Sequence, residues 1–454
     1  MMLRKLILLP LIVASLAGTV SGIDLKILDQ GSIRNAARTV AYNMMSRYHG
    51  NETGQTPGKL PEWWRGGIMF MTLIQYWHWT GDTSYNDVTA QGMLWQRGRD
   101  DFFPSNESLF LGNDDQMFWG LAAMTAAELN FPEQDDQPSW LSLAQGVFNT
   151  QIPRWDLTAC NGGMRWQIWP YQAGYTTKNA ISNGGLFQLA ARLGRYTKNE
   201  TYIQWAEKIW DWSTTTPLLR IRDWTIADTT SMENKCQDHG DTQWTYNYGT
   251  YLSGAAYMYD LTNGDVKWKA AIDGLLYTIW KTFFPQKFGG QLMSEISCEK
   301  TMTCNLDEDS FKGLLSSWLT FTATMVPHTA GKIIPKIQQS AIAAARQCSG
   351  GDSGTACGRR WHQNTWDGTS SLESDMSALS VLSSAMVAFK ENPQPLTPET
   401  GATSKGNPNA GIKEDALPWS HVRPITLGEH TLAWTATAAF ISVWLAVIGW
   451  LVYE

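Results

Sequence analysis

Six apolar helices rich in glycine and alanine alternate with six amphipathic ones along this chain. That loose repeat limits the available folds more than any other feature. The apolar set is predicted near 66–80, 114–129, 180–194, 246–261, 309–326 and 371–389. The amphipathic set is predicted near 28–48, 84–98, 138–151, 200–213, 265–282 and 333–347. The clearest unit runs from Gly185 to Gly194, turns, and continues from Tyr202 to Trp210. A helix apolar all round must be buried on every side, whereas an amphipathic one lies over a core. The apolar helices therefore form an inner ring and the amphipathic ones an outer ring. Twelve such helices closing on themselves make an all-α, (α/α)6 toroid. Long segments such as 152–178 and 214–245 join outer helices to the next inner ones. They gather beside the N-termini of the inner helices, and loops on a rigid scaffold are where sites belong.

Asn113-Asp114-Asp115-Gln116 opens one inner helix, directly before the run Met117 to Met124. Acids there can be simple capping residues, stabilised by the helix dipole. At the first turn both side chains can also lean toward a common cleft. A carboxylate pair in a cleft is what glycosidic bond cleavage needs, one as proton donor and one as nucleophile or base. Asp114 and Asp115 are the candidate catalytic residues.

The chain's ends point to secretion. Arg4 and Lys5 precede an apolar segment from Leu6 to Ala17 and small residues up to Gly22, the pattern of a signal peptide over 1–22. A second apolar block, Leu432 to Val452, is followed only by Tyr453 and Glu454. It fits a removable signal for a glycosylphosphatidylinositol (GPI) anchor over 431–454, with attachment at Asn409-Ala410-Gly411; a single membrane span is the alternative. Asn51, Asn106 and Asn199 each open a glycosylation acceptor sequence. Six cysteines in an oxidising compartment suggest three disulfides. Local spacing favours Cys298–Cys304 and Cys348–Cys357, leaving Cys160–Cys236. The body spans 23–392. Residues 393–430 read as a coreless stalk carrying the attachment region. A net charge of −7 without a basic stripe argues against nucleic-acid binding.

The chain has 24 tryptophans. Trp63, Trp64, Trp155, Trp166, Trp169, Trp224, Trp244 and Trp366 fall in long connections or at helix starts, where a flat ring can stack on a sugar. Trp77, Trp79, Trp205 and Trp210 sit at helical spacing and read as core. Polar candidates for substrate binding are Asn113, Arg165, Trp166, Asn183, Tyr246 and Asn247. Asp307-Glu308-Asp309 reads as a solvated helix start rather than a calcium site. No cofactor or metal is expected.

The Asn-Asp-Asp-Gln signature, the Gly162-Gly163-Met164-Arg165-Trp166 loop, the Ser182-Asn183-Gly184-Gly185 helix start and the terminal signals resemble glycoside hydrolase family 76. Within it they are most similar to the fungal cell-wall branch of GPI-anchored endo-1,6-α-mannosidases. The resemblance spans nearly all of the body. It implies the (α/α)6 fold and a retaining mechanism on α-1,6-mannose linkages, with Asp114 as nucleophile and Asp115 as acid and base. It also implies transfer of the GPI mannose core of wall proteins to a β-glucan acceptor, at the outer face of the plasma membrane. The helix N-terminus would ionise both acids, so repulsion and partial burial must raise the Asp115 pKa. Two other readings fit parts of the sequence. A non-catalytic mannan-binding surface protein would tolerate asparagine at either position. A prenyl or terpene enzyme would need a further acid after the pair, where Gln116-Met117-Phe118-Trp119 stands.

Overall fold

The computed structural model describes residues 22–52, 62–238, 240, 242–391, 393–412 and 426–453. The expected signal peptide, apart from Gly22, and residues 413–425 of the expected stalk lie outside them. The body holds twelve α-helices among the described residues. The inner six are α2 (Trp63–Thr80), α4 (Asn113–Glu128), α6 (Ala180–Thr197), α8 (Thr245–Leu261), α10 (Leu306–Met325) and α12 (Leu372–Ser384). The outer six are α1 (Gln30–Met45), α3 (Asn86–Trp95), α5 (Trp140–Gln151), α7 (Glu200–Thr214), α9 (Val266–Phe283) and α11 (Pro327–Gln347).

Each inner helix packs on the next, and α12 packs back on α2, so the ring closes. The outer helices lie over it, with α5 on α4, α7 on α6, α9 on α8 and α11 on α10. The sequence pattern explains both layers. In α4 every residue but Asp115 is buried. In α11 the buried set includes Ile333, Ile337, Ala341 and Ala344, one stripe at helical spacing. Close approach of α10 and α12 needs Gly313, since a Cβ there would sit 2.8 Å from the Ser377 Cα.

Most helix bounds fall within a few residues of expectation. Helix α11 starts earlier, with Pro327 in its first turn, and runs through Pro335. Two small antiparallel pairs complete the body: β1 (Thr177–Asn179) with β2 (Thr229–Ser231), and β3 (Cys348–Gly350) with β4 (Ala356–Cys357). The disulfides are Cys160–Cys236, Cys298–Cys304 and Cys348–Cys357, as spacing suggested. The first one bolts together the two longest connections, 152–178 and 214–245.

The stalk expectation is corrected for its first part. Residues 393–411 are extended but lie against the body as a strap. The Leu396 N–H donates to the Glu128 carbonyl at the C-terminal end of α4, and Arg195 donates to the Pro395 carbonyl. Farther along, Asn407 N–H reaches Gln145, and Asn149 donates to the carbonyls of Pro408 and Ala410. The strap thus climbs along α5 from the end of the ring where α4 finishes to the end where α4 begins. Ala410, in the proposed attachment site, is buried. A separate unit follows from Ile412. It contains α13 (Leu427–Tyr453), in which His430–Tyr453 is long and apolar enough to cross a membrane.

Candidate active site

The inner helices run parallel, so their first turns surround one mouth. Helix α4 is fixed there from several sides. The Asn113 N–H donates to the Trp166 carbonyl (2.8 Å), and Gly112 pairs with Gln167. The Asn113 side chain donates to the Arg165 carbonyl (2.9 Å) and accepts from Arg154 (2.7 Å). Gln116 donates to the Asp101 carbonyl (2.7 Å) and to Thr150 (2.9 Å). These bonds leave the first turn of α4 little freedom.

Asp114 is buried, and its Oδ2 accepts from Asn179 Nδ2 at 2.9 Å. Asp115 is half-buried, and its Oδ2 reaches back to accept the Gly112 N–H at 2.6 Å. That contact is half of a capping box, so the bland capping role is real for Asp115. The two carboxyls nevertheless share a space. A Cβ on Gly112 would lie 2.5 Å from Asp114 Oδ1 and 3.3 Å from Asp115 Oδ2. Those oxygens are therefore within about 6 Å of each other, near the ~5–5.5 Å of retaining glycosidases and short of the ~6.5–9.5 Å of inverting ones.

Their electrostatics differ as two different roles require. Burial raises the Asp114 pKa to about 6, with the Asn179 hydrogen bond opposing. Burial and then the neighbouring Asp114 charge push Asp115 well above the carboxylate range, against the Gly112 N–H. Asp114 ionises first, and Asp115 keeps its proton.

Other inner helices bring further groups to the mouth. Arg65 of α2 is buried and pairs with Glu62 (3.0 Å), with Asp307 at the start of α10 (2.8 Å) and with Glu373 of α12 (3.1 Å). The Tyr246 ring stacks on Phe311 at 3.8 Å. Burial, then the charges of Asp228, Asp114 and Asp307, raise its hydroxyl pKa. Asp228 is held by Asn247 (2.8 Å), and burial raises its pKa too.

The expected substrate-binding set divides. Trp166 stands at the rim and Tyr246 in the mouth. Asn113 and Asn183 are buried with their side chains engaged by protein, which corrects the expectation that they face a ligand; Asn247 is buried too, its Nδ2 donating to Asp228 while its Oδ1 has no hydrogen-bond partner. Asn183 clamps Met164 through both its N–H and its carbonyl. Arg165 pairs with Asp156 (3.1 Å) and lies over the Tyr175 ring, so it shapes the loop. Buried Lys178 supports that loop from beneath, bonding the carbonyls of Ala159 and Gly162. Trp155 packs into the core against Trp205 and Trp212 rather than serving the cleft. Of the Asp307-Glu308-Asp309 run, Glu308 caps α10, while Asp309 is buried against Arg359, not solvated. Cys298, Cys304 and Glu308 are the metal-type donors that cluster among the described residues, but both sulfurs are tied in a disulfide.

Sequence reasoning missed Asn179, Asp228, Arg65 and Gly112. Asn179 had a readable signal: it precedes an inner helix, and its side chain accepts from the Ser182 N–H as an N-cap. Asp228 and Arg65 had none, since their partners are distant in sequence.

Comparison with known proteins agrees with this geometry. Residues 32–398 match the family model for glycosyl hydrolase family 76. Mannan endo-1,6-alpha-mannosidase DCW1 of Saccharomyces cerevisiae is 39% identical over 442 residues, covering 95% of this chain and 96% of that protein. The crystal structure of Dfg5 from Chaetomium thermophilum in complex with glucosamine superposes with a TM-score of 0.81. It is 43% identical and covers 86% of this chain and 98% of that one. An inactive variant of the α-1,6-mannanase GH76A of Salegentibacter, in complex with α-1,6-mannotriose, shares the fold at 19% identity. Its TM-score is 0.63, over 80% of this chain and all of that one.

Proposed function

The chain belongs to glycosyl hydrolase family 76, and we propose that it cleaves α-1,6-mannose linkages by a retaining double displacement. It is a glycoside hydrolase. The observation that carries the mechanism is the pair of adjacent carboxyls, close together but held at different pKa values.

In the first step Asp115 gives its proton to the departing glycosidic oxygen while the Asp114 carboxylate attacks the anomeric carbon. The C–O bond to the leaving sugar breaks and an ester to Asp114 forms. In the second step Asp115, now a carboxylate, takes a proton from the incoming hydroxyl, which displaces Asp114 and restores the starting anomer. Asn179 orients Asp114. Tyr246 offers a hydroxyl and an aromatic face to the sugar in the mouth.

Water as the incoming hydroxyl gives hydrolysis, and a sugar hydroxyl gives transfer. The physiological reaction we propose is transfer of the GPI mannose core of wall proteins to β-glucan. The enzyme would act from the outer face of the plasma membrane, held by a GPI anchor. The acceptor sequences for glycosylation, the three disulfides and the apolar α13 support a secreted, tethered location.

Incubating the purified body with α-1,6-mannotetraose, with and without a laminari-oligosaccharide, tests this. Shortened mannosides, and mixed products when acceptor is present, are expected. Asp114→Asn and Asp115→Asn should each lower turnover at least a hundredfold. Full function of both variants would favour a mannan-binding protein instead.

A further inference from the structure

The three residues of β1 grip the turn that carries Asp114 and Asp115 from two sides. The Thr177 carbonyl accepts the Trp166 N–H (2.8 Å), and the Trp166 carbonyl in turn accepts the Asn113 N–H (2.8 Å). The Asn179 side chain donates to Asp114 itself. Between them stands Lys178, which is 0% exposed. Successive side chains of a strand point to opposite faces. Lys178 therefore turns away from Asp114 and into the loop 156–163. That loop closes on itself, the Asp156 N–H donating to the Gly163 carbonyl (3.1 Å). Its far end bends through four consecutive left-handed residues, Cys160 (φ 58°), Asn161 (φ 53°), Gly162 (φ 138°) and Gly163 (φ 95°). A cysteine and an asparagine there are strained, and such strain persists only where the surroundings impose it. The Lys178 ammonium is what the loop closes around. It meets the carbonyls of Asp156 (3.4 Å), Ala159 (2.8 Å) and Gly162, and the Asp156 carboxylate (3.2 Å). The Trp212 ring lies 5.6 Å away on a further side, and its Nε1 holds the Cys160 carbonyl (2.9 Å).

We propose that Lys178 is a positioning residue for the carboxyl pair, its ammonium serving loop 156–163 as a built-in cation. Carbonyls and a carboxylate converging on one point make the kind of oxygen cage that calcium loops use. An ammonium offers three N–H donors to such a cage. Directly after the loop, Asn183 clamps Met164, and the Arg165 and Trp166 carbonyls hold Asn113. Without the ammonium the caged oxygens repel one another, the loop opens and Asn113 loses its brace. Asn179, next along the strand, loses its alignment on Asp114. Lys178 touches neither acid and acts through Asn113 and Asn179. The proposal rests on the glycosidase reading and adds what sets the placement of the two carboxyls.

Lys178→Ala tests this, because the atoms it deletes amount to n-propylammonium. Hydrolysis of α-1,6-mannotetraose is followed across pH with and without that amine, with propanol as the uncharged control. The expected kcat is about a hundredfold lower, as a small displacement of reacting groups gives, with KM within about threefold. The acid limb of kcat/KM should move to higher pH, because the Asn179 hydrogen bond no longer holds the Asp114 pKa down. The amine should restore most of kcat and return the limb, and propanol should do neither. A native kcat, a loss that only tracks the unfolded fraction seen by circular dichroism, or equal rescue by propanol overturns the proposal. If Lys178→Ala folds only with the amine present, Lys178→Arg is read instead, a cation whose planar head cannot fill the same cage. The same loss of kcat is expected from it, and a native kcat overturns the proposal. Failure of both variants to fold assigns Lys178 to stability alone and overturns it too. If the native protein leaves mannotetraose intact, the glycosidase reading falls and this inference with it. If the native protein cleaves it and the folded variants cleave it equally well, this inference falls alone.

Discussion

Gly112 shows how narrowly the turn that carries the proposed catalytic pair is specified. Its backbone lies at φ −83° and ψ 169°, which any residue can adopt. The requirement for glycine is therefore steric, set by Asp114 Oδ1, Asp115 Oδ2 and the Trp166 carbonyl around the missing Cβ. Gly112→Ala should keep the fold, by circular dichroism, while kcat falls on the order of a hundredfold from carboxyl displacement. The pair also makes a pH prediction. Because burial raises the folded pKa of Asp114 to about 6, the folded state holds that proton more tightly than the unfolded chain. Stability from this group is full below about pH 4 and is lost as the pH rises through 6. Asp114→Asn should then raise Tm by a few degrees at pH 7 and by less at pH 4, read by calorimetry. The kcat/KM profile should be bell-shaped. Its acid limb lies near pH 6, and its alkaline limb, above that, follows loss of the Asp115 proton.

At the scale of elements, periodicity made the helices legible, because inner and outer positions demand different apolar patterns. It failed where the signal was local or absent. The helix predicted over 333–347 starts at Pro327, and Pro335 within it lies on the exposed face, where the carbonyl it leaves without a partner can meet water. The proposed acids, Asp114 and Asp115, were legible as a carboxylate pair at a helix start. Asp228 and Arg65 were not legible, because their partners come from other helices. Asn183 looked like a ligand contact because a polar residue at a helix start carries no sign of which way it faces. The strap was hidden for a similar reason. Its Pro, Ser, Thr and Asn composition has no periodicity, and body side chains such as Asn149 and Arg195 hold it. Ending the chain at Glu391 should lower stability by about 2–4 kcal/mol relative to ending it at Gly411, from several lost hydrogen bonds at ~1 kcal/mol each. Equal denaturant midpoints for the two proteins would show that the strap contributes nothing.

For the whole molecule, closing the ring brings the acids into one mouth. Closure joins the first inner helix to the last, and buried Arg65 pairs across it with Glu373 and Asp307. Arg65→Ala leaves the Glu373 carboxylate buried without its cation, a loss of about 3–5 kcal/mol in urea unfolding. Arg65→Lys should recover only part, because one ammonium cannot match a planar fork to three carboxylates. Packing of neighbouring inner helices also brings Asn179, at the start of α6, against Asp114 of α4. The direct test of a carboxyl pair working as nucleophile and acid is the stereochemistry of the first product. Proton NMR during the first turnovers on α-1,6-mannotetraose should show the α-anomer of the newly freed reducing end, with β appearing only by later mutarotation. Initial release of the β-anomer would mean direct attack by water, and would contradict the covalent role assigned to Asp114.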